Sequence, residues 1–157
     1  MKPKAYIETT FISYLTAYPS RDIIVAAHQQ ITHEWWSARK EDFDLFVSQL
    51  VWDEAEAGDQ EMSQRRLAVL ETVELLEVTE EGLSLANELV DKGPLPQKAA
   101  EDAIHIATAV INGMDYLLTW NCSHLANAAM RSKIEQICRI KGYEPTVICT
   151  PEELLEE

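Results

Sequence analysis

Apolar positions along the chain switch repeatedly between a spacing of two and a spacing of three to four. Lys4-Ala-Tyr-Ile-Glu8 is short and rich in strand formers, and Thr9-Thr10 after it can cap a helix carrying Phe11, Ile12, Tyr14 and Leu15. From Asp22 to Lys40, Ile23, Ile24, Ala27, Ile31 and Trp35 keep a helical period. Phe43-Asp-Leu-Phe-Val47 alternates like a strand, Ser48 stands where an N-cap would, and Leu50 to Ala57 reads as a short helix stopped by Gly58. Asp59 can cap a further helix with Leu67, Val69, Leu70 and Val73, which leads into a strand over Leu75–Val78. A helix follows over Glu80–Lys92; Gly93-Pro94-Leu-Pro96 breaks it, and Gln97 to Ile111 forms an Ala-rich helix ended by Asn112-Gly113. Tyr116–Trp120 reads as a strand, residues 123–141 as a helix and Thr146–Cys149 as a last strand. Strands separated by helices predict an α/β fold with a mainly parallel sheet, because parallel neighbours need crossover connections.

Composition narrows this picture. A chain of 157 residues, 46% hydrophobic, suits one compact domain over 1–150 followed by an acidic tail over 151–157. No apolar run approaches the roughly 18 to 20 residues that span a bilayer, and the opening MKPKAYIETT lacks the apolar stretch of a signal peptide, so a cytoplasmic, membrane-free protein is expected. Cys122, Cys138 and Cys149 form no CxxC pair and are expected to be reduced. Thirteen Lys and Arg against 27 Asp and Glu give a net charge of −14, which opposes nonspecific attraction to nucleic-acid phosphates. Carboxylates gathered around divalent cations would invert that field locally, and an acidic surface favours a basic protein partner.

In open α/β sheets, ligands bind beyond the carboxyl ends of the strands, so polar residues there are the first candidates for chemistry. Glu8 ends the first strand and Asn121 follows the fourth; each can ligate a hard cation or simply cap the next helix. Glu54 lies three residues after Val51 and four after Leu50, on the face carrying those apolar side chains, where a carboxylate calls for a metal, an ion pair or a route to water. Asp102 borders the stripe of Ala103, Ile106, Ala107 and Val110, either as a ligand or as a first-turn acid favoured by the helix dipole. His105 on the same helix reads as a packed or hydrogen-bonded histidine rather than a base. Cys122-x-His124 supplies too few ligands for a closed zinc site, and Trp35, Trp36, Trp52 and Trp120 read as core or interface residues. No Ser-His-Asp order, Gly-rich phosphate loop or HExxH pattern is present.

Four segments in order resemble the PIN-domain family over nearly the whole chain: Tyr6-Ile-Glu-Thr-Thr10; Val47-Ser-Gln-Leu-Val-Trp-Asp-Glu54 with Gly58-Asp59 after it; Ala100-Glu-Asp-Ala-Ile-His-Ile-Ala-Thr-Ala109; and Leu117-Leu-Thr-Trp-Asn121. The resemblance implies a three-layer sandwich with a mainly parallel central sheet between helices. It also implies an acidic pocket binding Mg²⁺ or Mn²⁺, where a water activated by the cation attacks an RNA phosphodiester in line. By that resemblance Glu8, Glu54, Asp102 and Asn121 form the catalytic and metal-binding set, with Thr9 or Thr10 ordering the water. It further implies an endoribonuclease of the VapC type, the toxin of a type II toxin–antitoxin pair, with RNA as substrate, a small antitoxin as partner and a homodimeric state. Two departures stand out: Glu8 and Asn121 occupy positions where the family carries Asp. Three carboxylates instead of four weaken the case for a second cation, so a one-metal site completed by the RNA phosphate is expected. The alternative is a noncatalytic PIN-like binding domain with a degenerate metal site. A Mg²⁺-dependent phosphohydrolase on another α/β fold would need a nucleophilic Asp after the first strand, where Glu8 stands.

Overall fold

The computed structural model describes residues 1–156. Five strands, β1 (Lys4–Ile7), β2 (Asp44–Ser48), β3 (Glu74–Leu76), β4 (Tyr116–Leu118) and β5 (Val147–Cys149), pair in parallel in the order β3-β2-β1-β4-β5. They alternate with α1 (Thr9–Thr16), α2 (Ile23–Arg39), α3 (Gln49–Glu56), α4 (Gln60–Leu70), α5 (Glu80–Asp91), α6 (Ala100–Ile111) and α7 (Ala128–Ile140). Right-handed crossovers explain the layering. The chain moves one way across the sheet from β1 to β3 and the other way from β3 to β5, so the two sets of crossovers fall on opposite faces. Accordingly, α1 packs on α2, α3 and α4, while α5 packs on α6 and α7. This is the α/β sandwich that the alternation of strands and helices predicts.

The centre of the sheet is the centre of the core. Ala5, Tyr6 and Ile7 of β1 are fully buried, as a strand covered on both faces requires, and Phe11, Ile12, Trp35, Val47, Val51, Leu89, Ile106 and Leu117 surround them. Trp120 is buried too, and Trp36 and Trp52 lie partly buried against the core, in keeping with their reading as packing residues. The predicted helix stops hold: Gly58 and Gly113 take φ of 90° and 70°, a backbone region open to glycine at little cost. Asp22 and Asp59 cap α2 and α4 by accepting from the amides of Val25 and Met62. No described helix is long and apolar enough to cross a membrane.

Several boundaries move, each for a local reason. Residues 97–99 form a 3₁₀ turn before α6, and Lys40–Asp42 another after α2. The helix expected over 123–141 begins only at Ala128, because Asn127 caps it by accepting from the amides of Ala129 and Met130. Thr9 and Thr10 do not cap α1; Glu8 holds the cap position, makes no side-chain cap bond, and leaves both hydroxyls for other partners. Ser48 does precede α3 but likewise makes no cap bond. Of the expected acidic tail, Pro151–Leu154 forms a 3₁₀ turn with a capping box between Thr150 and Glu153, packed against α2; Glu157 lies outside the described residues.

Candidate active site

The strand order reverses direction between β1 and β4, and the carboxyl ends of these two strands bring Glu8 beside Thr119. Glu8 is almost fully buried, and its Oε1 accepts from Thr10 Oγ1 at 2.5 Å and Thr119 Oγ1 at 2.6 Å. Two hydroxyl donors on one oxygen offset part of the cost of burying a carboxylate. Its second oxygen has no protein partner among the described residues. The Thr10 hydroxyl also accepts from the Trp120 amide at 2.8 Å, which ties α1 to the end of β4. The Trp120 ring stacks on His28 at 4.1 Å, with Tyr14 beside both, and donates through Nε1 to Thr32 at 2.7 Å. The Thr119–Asn121 segment is thereby held against α1 and α2.

Glu54 reaches the same place from α3. Its Oε1 accepts from Thr9 Oγ1 at 2.5 Å and from His105 Nε2 at 2.7 Å. The last turn of α3 is fixed from α4, where Arg66 donates to the carbonyls of Ala55 at 2.8 Å and Ala57 at 2.7 Å. His105, on α6 and fully buried, contacts the Tyr6 hydroxyl through Nδ1 at 2.7 Å, and that hydroxyl contacts Ser48 Oγ at 2.8 Å. A hydrogen-bonded chain, Ser48–Tyr6–His105–Glu54–Thr9, therefore runs from the middle of the sheet to the site. Ligand atoms of Glu8, Glu54 and His105 all lie within 4.8 Å of one another.

Electrostatics sharpens the pairing. Burial alone would raise the Glu54 pKa, but the His105 hydrogen bond and charge, with bonds from Glu101 and Thr9, hold it at about 2. Burial alone would lower the His105 pKa, yet the Glu54 hydrogen bond and the charges of Glu8, Glu54 and Asp102 raise it above the usual histidine value. A carboxylate only accepts, so the hydrogen on His105 Nε2 points at Glu54, and that nitrogen is not free to ligate a metal. The Glu54 hydrogen bond and charge raise the Glu101 carboxyl above its ordinary value. Burial pushes the Tyr6 phenol far up.

Asp102 and Asn121 make a second, separate arrangement. Asp102 Oδ1 accepts from Asn121 Nδ2 at 3.1 Å, and Oδ2 from His124 Nδ1 at 3.0 Å. Asn121 Oδ1 accepts from the amides of Ser123 and His124 at 3.2 and 3.1 Å, which closes the turn after β4. Asn121 therefore does not cap the next helix, which Asn127 caps; its carbonyl oxygen is taken up by the turn. Asp102 is not among the ligand atoms that cluster with Glu8 and Glu54, although its charge reaches His105, one turn on along α6.

Of the residues singled out by sequence, Glu8, Glu54, Thr9 and Thr10 converge directly, and Asp102 and Asn121 bond to each other alongside. His105 is hydrogen-bonded, as read, but its place between Glu54 and Tyr6 was not legible; its three-residue spacing from Asp102 was the available signal. Thr119, two residues before Asn121, and Ser48, read as a cap, were also missed. His124 pairs with Asp102 rather than with Cys122, which is exposed. Cys138 and Cys149 are buried free thiols, pushed by that burial to about 11 and about 12 and so held protonated.

A buried carboxylate, Glu8, and a half-buried one, Glu54, at the carboxyl edge of the sheet suit a hard divalent cation, and Glu8 offers an unpartnered oxygen to it. Glu8 and Glu54 would hold the ion. No family model matches the chain, and no curated protein matches it in sequence. Solved structures do match in shape. VapBC2 from Rickettsia felis, bound to a DNA fragment from its promoter, aligns over 93% of this chain and 97% of its own at TM-score 0.58 and 14% identity. VapC20 of Mycobacterium tuberculosis, a toxin that cleaves the sarcin–ricin loop, aligns over 76% of this chain and 92% of its own at TM-score 0.58 and 15% identity. VapBC-1 from nontypeable Haemophilus influenzae covers 94% and 98% at TM-score 0.57 and 18% identity. The fold of this chain is the PIN-like α/β fold of these toxins.

Proposed function

We propose that the protein is a divalent-cation-dependent endoribonuclease, the toxin of a toxin–antitoxin pair acting in the cytoplasm. The observation that carries this reading is the meeting of Glu8, held by two hydroxyl donors, and Glu54, held by a hydroxyl and an imidazole, where the sheet of a PIN-like fold changes direction. Bound between these carboxylates, Mg²⁺ or Mn²⁺ supplies Lewis-acid polarisation of a phosphodiester and a more acidic water. The chain's own residues set the stage for that chemistry. Thr10 and Thr119 fix the rotamer of Glu8, while His105 and Thr9 fix Glu54 from opposite partners. With Glu54 held ionised, a cation would bind there without first displacing a proton from it. The cation in turn offsets locally the −14 charge that repels RNA.

An antitoxin partner follows from the complexes that share this fold, and a homodimer from the family resemblance. The test is a map of newly formed RNA 5′ ends in cells expressing the wild type, Glu54→Gln or Asp102→Asn. Discrete sites with the wild type and none with Glu54→Gln support the nuclease and name its substrate. One observation favours a second reading, a noncatalytic binding domain: Asp102 and Asn121 satisfy each other and the turn after β4. An absence of new ends with the wild type, together with retained partner binding, selects that reading.

A further inference from the structure

Resting on the cation-dependent reading above, we propose that the site takes a single divalent cation, at Glu8 and Glu54, and that the Asn121–Asp102–His124 group fills the place of a second with protein donors. Nucleases that use two ions hold them about 3.5–4 Å apart, so each ion needs at least one carboxylate oxygen open to it. In this chain the two halves of the site differ in that respect. On the first, Glu54 Oε1 accepts from Thr9 and His105, but Glu8 keeps an oxygen without a protein partner, and the ligand atoms of Glu8 and Glu54 fall within 4.8 Å. On the second, both oxygens of Asp102 accept hydrogen bonds, from Asn121 Nδ2 at 3.1 Å and His124 Nδ1 at 3.0 Å.

Asn121 cannot turn its carbonyl to an ion without cost, because that oxygen closes the turn through the amides of Ser123 and His124. A carboxylate only accepts, so the His124 ring nitrogen donates to Asp102 and presents a hydrogen where an ion would have to sit. One charge also remains in this half where Asp at position 121 would give two. His124 is 22% exposed, so the donor that occupies the place is itself beside solvent and beside any strand entering the site.

Calorimetric titration with Mn²⁺ of the RNA-free protein, without reference to cleavage, tests this. The wild type is expected to bind one ion per chain. Glu54→Gln is expected to weaken it at least tenfold. Asn121→Asp combined with His124→Ala is expected to add a second site. Two ions on the wild type, or none at millimolar Mn²⁺, overturn the proposal. The wild-type stoichiometry decides even if the double variant fails to fold. A single ion on a chain that cuts no RNA would leave the proposal standing and remove the nuclease reading instead.

Discussion

Removing the Tyr6 hydroxyl while leaving its ring tests whether the buried chain behind Glu54 acts as a unit. In Tyr6→Phe the ring still fills its place beside His105, where the two rings meet edge on with centroids 5.7 Å apart. What is lost is one oxygen that contacts Ser48 at 2.8 Å and His105 Nδ1 at 2.7 Å. Ser48 and His105 are both buried, and each unsatisfied polar group costs about 1–3 kcal/mol. The substitution should therefore destabilise the fold by about 3 kcal/mol, a drop in Tm of roughly 6–12 °C for a chain of this size. Glu54→Gln removes the charge-assisted bond at the other nitrogen of the same ring, for about 2 kcal/mol. Because both variants act through His105, the double variant should cost less than the sum, with a coupling of about 1 kcal/mol. Urea unfolding of the four proteins, without added metal, measures the cycle. Additivity to within about 0.5 kcal/mol would refute the idea that Tyr6 orients Glu54 through His105.

Other outcomes follow from the same geometry. Glu54 is depressed to about 2 from 4.5, so its contribution is present above pH 4.5 and lost as pH falls towards 2. His105 is raised above 6.5, so its contribution is present below pH 6.5 and lost as pH rises through its folded value. Metal-free stability attributable to the pair should thus be greatest between pH 4.5 and 6.5, and thermal melts of Glu54→Gln across pH should lose that maximum. Arg66→Ala frees the carbonyls of Ala55 and Ala57 and should cost about 1–2 kcal/mol by denaturant titration, with a further fall in Mn²⁺ affinity because Glu54 lies on the loosened turn. Asn127→Ala removes the cap of α7 and should cost about 1 kcal/mol without altering Mn²⁺ binding.

The alternation of periods, the glycine stops and the aspartate caps are local signals, and the elements they predict are present. The sheet order is not local. Nothing near β1 in sequence says that it pairs with β4, more than a hundred residues away, and the family resemblance implied only a mainly parallel sheet between helices. Glu8 and Glu54 were legible because a carboxylate at a strand end or on an apolar face is costly without a partner. The partners were harder to see. Thr9, Thr10 and Ser48 carry the residue types of helix caps, and only tertiary contacts divert their hydroxyls to Glu54, Glu8 and Tyr6. The same competition shortened the helix after β4, where the side chain of Asn121 organises a turn instead of a first helical turn.

The central position of β1 also has a kinetic meaning. Glu8 meets Thr119 across 111 residues and Tyr6 meets His105 across 99, so the site closes only through contacts with large loop-closure entropy. During synthesis, β2 and β3 can join β1 while its other edge stays unpaired until β4 emerges, and that open edge is a surface for misassembly. Glu8 gains its Thr119 donor at the same late step. Chains that end before β4 therefore lack the Thr119 donor that holds Glu8 in the finished site.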